Sequence, residues 1–325
     1  MKKLMILLSG MALSLSLAAQ LSQNEEITVH DPVMIQEDSV YYLFCTGKGI
    51  GRYKSLDMKN WEALPGVFDQ APAWVMEKLP EFRNHIWAPD IAYVNGRYLL
   101  YYSVSRFGKN SSCIGMVSSP SLHPEKARWT DHGPVICSEP GQDDWNAIDP
   151  NFIQDESGKA WLSFGSFWGG IQLFPLDSQF SGIQPGEGVK TIAARSRTQP
   201  GNLAEPGDGA IEAPFIVQKG EWYYLFVSWD YCCRGEKSTY HVRVGRAQKV
   251  DGPYLDREGK ALSEGGGEHV FSGTGKWAAA GHNAVFSTGG ADYFICHAYD
   301  REDEGRPKLV VLHLKWDDEM WPIIQ

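Results

Sequence analysis

Apolar residues along this chain alternate with polar ones or run in short blocks, and Gly, Asp, Asn or Pro bounds each block. Nothing sustains a helical period over three turns, so the pattern predicts short strands joined by tight turns. The clearest unit spans residues 145–168, WNAIDPNFIQDESGKAWLSFGSFW. It sets Asp149-Pro150 ahead of one apolar run, a polar turn at 155–158 and a second run at 160–164, which is the size of a hairpin. Four looser copies follow the same phrasing: HDPVMIQEDSVYYLFCTG from His30, WAPDIAYVNGRYLLYYSVS from Trp87, IEAPFIVQKGEWYYLFVSW from Ile211 and HNAVFSTGGADYFICHAY from His282.

With the prolines as register, at 32, 89, 150 and 214, and Ala284 standing in the fifth copy, the steps are 57, 61, 64 and 70 residues. Repeats of this size with several strands each predict the blades of an all-β propeller. A propeller closes into a ring, so equivalent positions meet at one end of a central channel. The residues ahead of the five inner strands are then His30 and Asp31, Trp87 and Ala88, Ile148 and Asp149, Glu212 and Ala213, and His282 and Asn283. An Asp before Pro is by itself a common turn opener. The register changes that reading, because Asp31, Asp149 and Glu212 are expected to converge, and crowded carboxylates shift one another's pKa.

Composition fits one globular unit: 325 residues, 43% hydrophobic and 22% charged. The formal charge of −10 becomes −12 once Lys2 and Lys3 are set aside, and no Lys/Arg cluster is present. Nucleic acid is therefore excluded as a partner, and a neutral one suits the chain better. Lys2 and Lys3, the apolar run 4–17 and the small residues Ala18 and Ala19 form a secretory signal too short for a membrane span. The domain reading is residues 1–19 as signal and 20–325 as a single propeller, secreted or periplasmic, with a monomer expected. Of the six cysteines, Cys45, Cys113 and Cys296 read as buried free thiols in strands. The state of the neighbours Cys232 and Cys233 stays open.

Candidate chemistry gathers at the predicted channel mouth. Trp87 offers an indole face for the apolar side of a sugar ring, and Phe107 and Gly108 lie in a loop that extends it. Asn146 and the run from Ser166 to Trp168 add polar groups and a stacking wall beside Asp149, a usual lining for carbohydrate. The stretch 179–208, rich in Gly, Pro and Ser, precedes Glu212 and reads as a rim loop. His282, in an acid-rich ring, is placed to bind a cation directly or through water. Signatures such as GxSxG, HExxH, a P-loop or an EF-hand loop are missing. Carboxylate chemistry remains, and cleaving a glycosidic bond uses one carboxylic acid as proton donor and one carboxylate as base or nucleophile.

Taken together, VHDP at 29–32, WAPDI at 87–91, YYSVSRFG at 101–108, NAIDPN at 146–151, FGSFWGGI at 164–171, IEAPFI at 211–216 and DYCCRG at 230–235 are distinctive. The chain resembles glycoside hydrolase family 43, and within it the endo-1,5-α-L-arabinanases. That resemblance implies a five-bladed propeller and an inverting mechanism on arabinan. It implies Asp31 as general base, Glu212 as general acid and Asp149 as the residue that orients the acid and raises its pKa. Trp87, Phe107, Gly108, Asn146, Ala147, Ile148, Ser166, Phe167 and Trp168 become sugar contacts, together with Asp31 and Asp149. His282 matches the histidine of a central ion site for calcium or another hard cation, and no organic cofactor is implied.

Two other readings compete. An exo-acting α-L-arabinofuranosidase or β-xylosidase of the same family needs a blocked pocket. A non-catalytic sugar-binding propeller has no use for three acids, and all three are present.

Overall fold

The computed structural model describes residues 22–80 and 82–325, so the expected signal at 1–19 lies outside the described residues. Five antiparallel sheets make a five-bladed β-propeller. Blades 2, 3 and 4 run outward as His85–Val94, Arg97–Val104, Ser112–Ser119 and Thr130–Ser138; Asn151–Gln154, Ala160–Phe164, Ile171–Pro175 and Lys190–Ala193; and Ile211–Lys219, Trp222–Trp229, His241–Ala247 and Glu268–Phe271. Blade 1 comprises Val33–Glu37, Val40–Cys45, Gly51–Ser55 and Glu62–Leu64. Blade 5 takes Trp277–Thr288, Ala291–Asp300 and Arg306–Trp316, and Ser22–Thr28 from the start of the described chain completes it on the outside. Early and late segments thus share one sheet, which closes the ring.

Turn chemistry sets the hairpins. Asn95-Gly96 and Gly289-Gly290 have positive φ at both positions, as a two-residue hairpin turn matched to strand twist requires. In blade 3, Asp155 Oδ1 accepts the N–H groups of Ser157 and Lys159, and Trp161 Nε1 donates to Oδ2 at 2.9 Å. The predicted turn at 155–158 is therefore held by its own aspartate. Four apolar clusters fill most of the space between neighbouring blades, and Tyr102, Phe164, Phe226 and Phe294 among others are fully buried. Burying such a side chain contributes roughly 1.5–3 kcal/mol.

One backbone feature recurs in every blade. The residues that precede the first proline-register position of each blade, Asp31, Ala88, Asp149, Ala213 and His282, all have φ between 40° and 59° and sit just before the inner strand or at a break in its pairing. Left-handed backbone is uncommon for residues with a Cβ and marks a site where the surroundings hold the chain. This pattern corrects the fifth register by one residue: His282 is equivalent to Asp31 and Asp149, and Asn283, not Ala284, stands where the other copies have proline.

The amide made available at each of these positions is caught from the preceding blade. Ala88 N–H donates to Thr46 Oγ1 at 2.8 Å, Asp149 N–H to Ser103 Oγ at 3.0 Å, His282 N–H to Ser228 Oγ at 2.8 Å and Asp31 N–H to His297 Nδ1 at 3.2 Å. In the remaining seam the corresponding residue is Gly165, whose own amide bonds Ile148 carbonyl. A Cβ on Gly165 would collide with the Gly170 carbonyl, so no side chain is available there. Ala213 N–H goes instead to Asp149 Oδ2 at 3.1 Å.

The cysteines correct one expectation. Cys113 is bridged to Cys137, its directly opposed partner on the next strand, with Cα atoms 4.0 Å apart. Only the strand register reveals that pairing. Cys45 and Cys296 are buried free thiols as expected, and Cys232 is bridged to Cys233. No helix among the described residues is long and apolar enough to cross a membrane.

The amide-capture pattern predicts a stability cost. Ser103→Ala leaves the buried Asp149 N–H without its acceptor and should destabilise the fold by about 1–3 kcal/mol, read as a lower urea midpoint. A loss below about 0.5 kcal/mol, the range of indifferent surface changes, would mean that the contact does not hold the seam.

Candidate active site

Because the left-handed residues turn the chain at the channel mouth, side chains from four blades meet there. Asp31 is surrounded most closely. Its Oδ2 accepts the Thr46 hydroxyl at 2.5 Å, while Oδ1 lies 3.0 Å from His282 Nδ1 and 3.4 Å from His30 Nδ1. Thr46 therefore does two jobs, accepting the Ala88 amide and donating to the carboxylate. Glu212 stands one position ahead of left-handed Ala213, paired with Ser228 across the hairpin, and its Oε2 accepts the Ser166 hydroxyl at 2.7 Å. Tyr240 is hydrogen-bonded to Glu212 as well, and its ring lies against Gly281, where any Cβ would collide with it. Asp149 is 6% exposed and keeps Oδ2 on the Ala213 amide.

These surroundings separate the acids. Burial alone would raise the Asp31 carboxyl, yet the facing rings of His282 and His30 hold it well below the usual range. Burial pushes Asp149 well up, and the neighbouring charges of Glu212 and Asp31 push it further. Glu212 is raised as well, first by burial, with Asp31 adding to it against the Ser166 and Tyr240 hydroxyls. His282 is lifted to about 9 by Asp31, Asp149 and Glu212, in opposition to burial. One carboxyl is thus biased toward its ionised form beside two biased toward the protonated form, the kind of separation that acid–base catalysis uses.

The sugar-contact candidates divide into rim and support. Trp87 is half-buried one position before Ala88, and Phe107 is 80% exposed in a loop beside Gly108, which has φ 72°. Asn146 is buried with Oδ1 on the Ser112 hydroxyl at 2.6 Å, and the Ile148 amide closes back on the Asn146 carbonyl. Ala147 has no exposed surface and its amide donates to Ser138. Phe167 and Trp168 both have positive φ, and the Phe167 ring packs 6.0 Å from Tyr231. Trp168 is only 3% exposed, and its indole N–H donates to the Leu203 carbonyl at 3.1 Å, so it props up the rim loop. The expected rim stretch 179–208 is not wholly irregular, since Lys190–Ala193 is the outer strand of blade 3. The part after that strand is pinned by Arg197 on Asp144 at 2.7 Å and by Lys109 on Glu205 at 3.5 Å.

Several residues here escaped the sequence reading: Thr46, Ser103, Ser228 and His297, which catch the amides, and Tyr240 and Tyr299. The first four end the second run of their copies, in FCTG, YYSV, FVSW and ICHAY. Aligning those ends, as the prolines were aligned, would have found them.

Cation ligands can be tested against the same contacts. His30, Asp31 and His297 lie close enough to share an ion. However, His297 Nδ1 is taken by the Asp31 amide, and the Nε2 atoms of His297 and His30 face the Tyr299 hydroxyl at 3.3 and 3.2 Å. His282 differs: Nδ1 pairs with a carboxylate and Nε2 is left over, which is how acids orient metal-binding imidazoles. Next to it in the chain, Asn283 is 2% exposed with both amide atoms lacking a partner, and an amide oxygen suits a hard cation. With its Nε2 proton displaced, His282 together with the Asn283 amide oxygen fits one hard cation.

Polar groups fixed around a trio of acids at a propeller mouth are the arrangement of a hydrolytic enzyme. The chain belongs to glycosyl hydrolases family 43, whose profile matches residues 26–322, and it is a glycoside hydrolase. It is 44% identical over 313 residues to the extracellular exo-α-(1→5)-L-arabinofuranosidase of Cellvibrio japonicus, covering 96% of this chain and 90% of that protein. It is 42% identical over 298 residues to the extracellular endo-α-(1→5)-L-arabinanase 1 of Bacillus subtilis, covering 90% and 87%. The structure of Cellvibrio cellulosa α-L-arabinanase complexed with arabinohexaose superposes with a TM-score of 0.90 at 44% identity, covering 92% of this chain and 96% of that one.

The hydroxyl of Ser166 favours the ionised form of Glu212, so its removal has a signed effect. In Ser166→Ala the Glu212 carboxyl should titrate at higher pH than in the parent, read by isotope-edited carboxyl NMR. An unchanged or lower midpoint would mean that this hydrogen bond is not made.

Proposed function

We propose that this chain hydrolyses α-1,5-L-arabinofuranosidic bonds of arabinan with inversion of configuration, cutting within the polymer. The observation that carries the reading is the split among the three acids: Asp31 is held ionised, while Glu212 and Asp149 are held toward the protonated form. Arabinan as substrate is supported by the relatives, which are named for α-1,5-L-arabinan chemistry and match nearly the whole chain. Their extracellular names support secretion, in line with the apolar leader.

In this mechanism Asp31 takes a proton from the attacking water as general base. Thr46 and His282 hold its two oxygens, so the carboxylate does not rotate as charge changes. Glu212 gives its proton to the departing sugar oxygen, and the Ser166 and Tyr240 hydroxyls stabilise the carboxylate that results. Asp149 fixes the backbone beside the acid through the Ala213 amide and keeps negative charge from accumulating on both carboxyls at once. Inversion needs room for water, so the Asp31 and Glu212 carboxyls should stand about 6.5–9.5 Å apart. His282 would hold a hard cation such as calcium, which would supply fixed positive charge at the floor of the mouth.

Internal cutting is supported by Phe107, whose exposed ring offers a platform for sugars that continue past the cleavage point. An exo-acting reading is favoured by one specific observation, the 44% identity to a relative named exo-acting. Linear arabinan distinguishes the two. Internal cutting should lower viscosity well before reducing ends accumulate, whereas early release of one short product with viscosity preserved would replace the endo reading with the exo one.

Glu212→Ala should abolish polymer cleavage yet retain turnover of aryl glycosides whose leaving group needs no proton, because only protonation is lost. Equal loss on both substrates would remove Glu212 from that role. In the parent enzyme kcat/KM should fall as pH rises through the raised Glu212 pKa, since the acid must be protonated, and this alkaline limb should vanish in Glu212→Ala.

Calcium should raise the melting temperature of the parent by a few degrees, by favouring the folded state that binds it, and should leave His282→Ala unmoved. A similar rise in both would place the ion elsewhere.

A further inference from the structure

His297 catches the Asp31 amide where Thr46, Ser103 and Ser228 use a hydroxyl, and it is fully buried. An imidazole has a second nitrogen, so this position can pass a hydrogen bond onward. It does so to Tyr299, two residues along the same strand, and the polarity of each bond in the resulting chain can be assigned.

Nδ1 of His297 accepts the Asp31 N–H at 3.2 Å and therefore carries no proton. In the neutral ring the proton is then on Nε2, which donates to the Tyr299 hydroxyl oxygen at 3.3 Å. Burial favours that neutral ring by holding His297 well below its ordinary pKa. The same oxygen accepts the Cys233 N–H at 2.7 Å, which with the His297 donation fills both lone pairs; the adjacent Ser238 hydroxyl oxygen accepts the Arg234 N–H. With its lone pairs taken, Tyr299 uses its own proton to donate to His30 Nε2 at 3.2 Å. His30 is thereby protonated on Nδ1, which points that proton at Asp31 Oδ1, 3.4 Å away. The chain leaves Asp31 from its amide and returns to its carboxylate. The His30 and His297 rings lie 3.9 Å apart between centroids, so neither can turn without the other.

We propose that Tyr299 is a positioning residue for hydrolysis: through His297 and His30 its hydroxyl fixes the tautomers of both rings, and so the orientation in which Asp31 meets the attacking water. The proposal rests on Asp31 being the general base. Tyr299 itself does not reach the substrate's reacting atoms and acts only through the two imidazoles. The Cys233 amide ties the loop that follows blade 4's second strand into the same circuit.

The test uses kcat and KM on linear α-1,5-arabinan and on an aryl α-1,5-arabino-oligosaccharide, each variant assayed well below its own melting temperature. Tyr299→Phe keeps the ring and removes the hydroxyl. It should lower kcat about 10- to 100-fold, the scale of a misplaced catalytic group, with KM changed less than about threefold. The loss should be equal on both substrates, because activation of water serves both, unlike the leaving-group dependence expected for Glu212. His30→Asn retains a donor near the Nδ1 position but cannot reach Tyr299, and should lose kcat to a similar extent. It reads the same circuit should Tyr299→Phe fold poorly. The double variant should be no slower than the slower single variant, because one break already opens the circuit. Full kcat in Tyr299→Phe, a loss confined to KM, or two losses that multiply would overturn the proposal. Asp31→Ala separates the proposal from its premise: it should be inactive on both substrates, and substantial activity there would remove the base assignment itself.

Discussion

The structure depends on how one strained amide per blade is satisfied. Each inner strand carries, at or near its start at the channel mouth, a residue in the left-handed region, a conformation that non-glycine residues hold only when their surroundings enforce it. Enforcement comes from the blade before, through a hydroxyl, an imidazole or, at Ala213, the Asp149 carboxylate that accepts the N–H. Neighbouring blades are thereby locked at the channel mouth by polar contacts, while apolar clusters hold them along their faces. The last link, from His297 to Asp31, spans blades 5 and 1, where the outermost strand also completes the ring.

The same geometry produces the electrostatics. A left-handed residue turns its side chain into the mouth, and at three of the five positions that side chain is Asp31, Asp149 or His282. Glu212 joins from the position before. Buried side by side, these groups cannot all keep their solution pKa values. Asp31 is faced most closely by His282 and also by the ring of His30, which hold it down against burial, whereas at Glu212 and Asp149 burial outweighs the hydroxyl and amide partners and the more distant His282. In the proposed mechanism, the choice of base and proton donor follows from which acid the imidazoles face most closely.

Much of this was legible in the sequence, and the limits have physical reasons. Four prolines marked the blade register because proline suits the residue after the turn at each mouth. The fifth copy has Asn283 there, and without the proline the register slipped by one. The convergence of Asp31, Asp149 and Glu212 was readable because a closed ring maps equivalent positions onto one rim. Contacts between different strand positions were not. Cys113 and Cys137 face each other only once the pairing of two strands is known. His297 and Tyr299 meet His30 across more than 260 residues of sequence, at the seam that closure creates.

Gly165 makes the mouth unequal. Where the other seams employ a bystander side chain, the seam between blades 3 and 4 has none, and Asp149 accepts the Ala213 amide itself. A group that tunes its neighbour's charge is therefore also a rivet in the wall. Asparagine at 149 would remove the charge and keep an acceptor, whereas alanine would remove both at once. A substitution at 149 is therefore felt in the charge of the mouth and in the hydrogen bonding of the seam together.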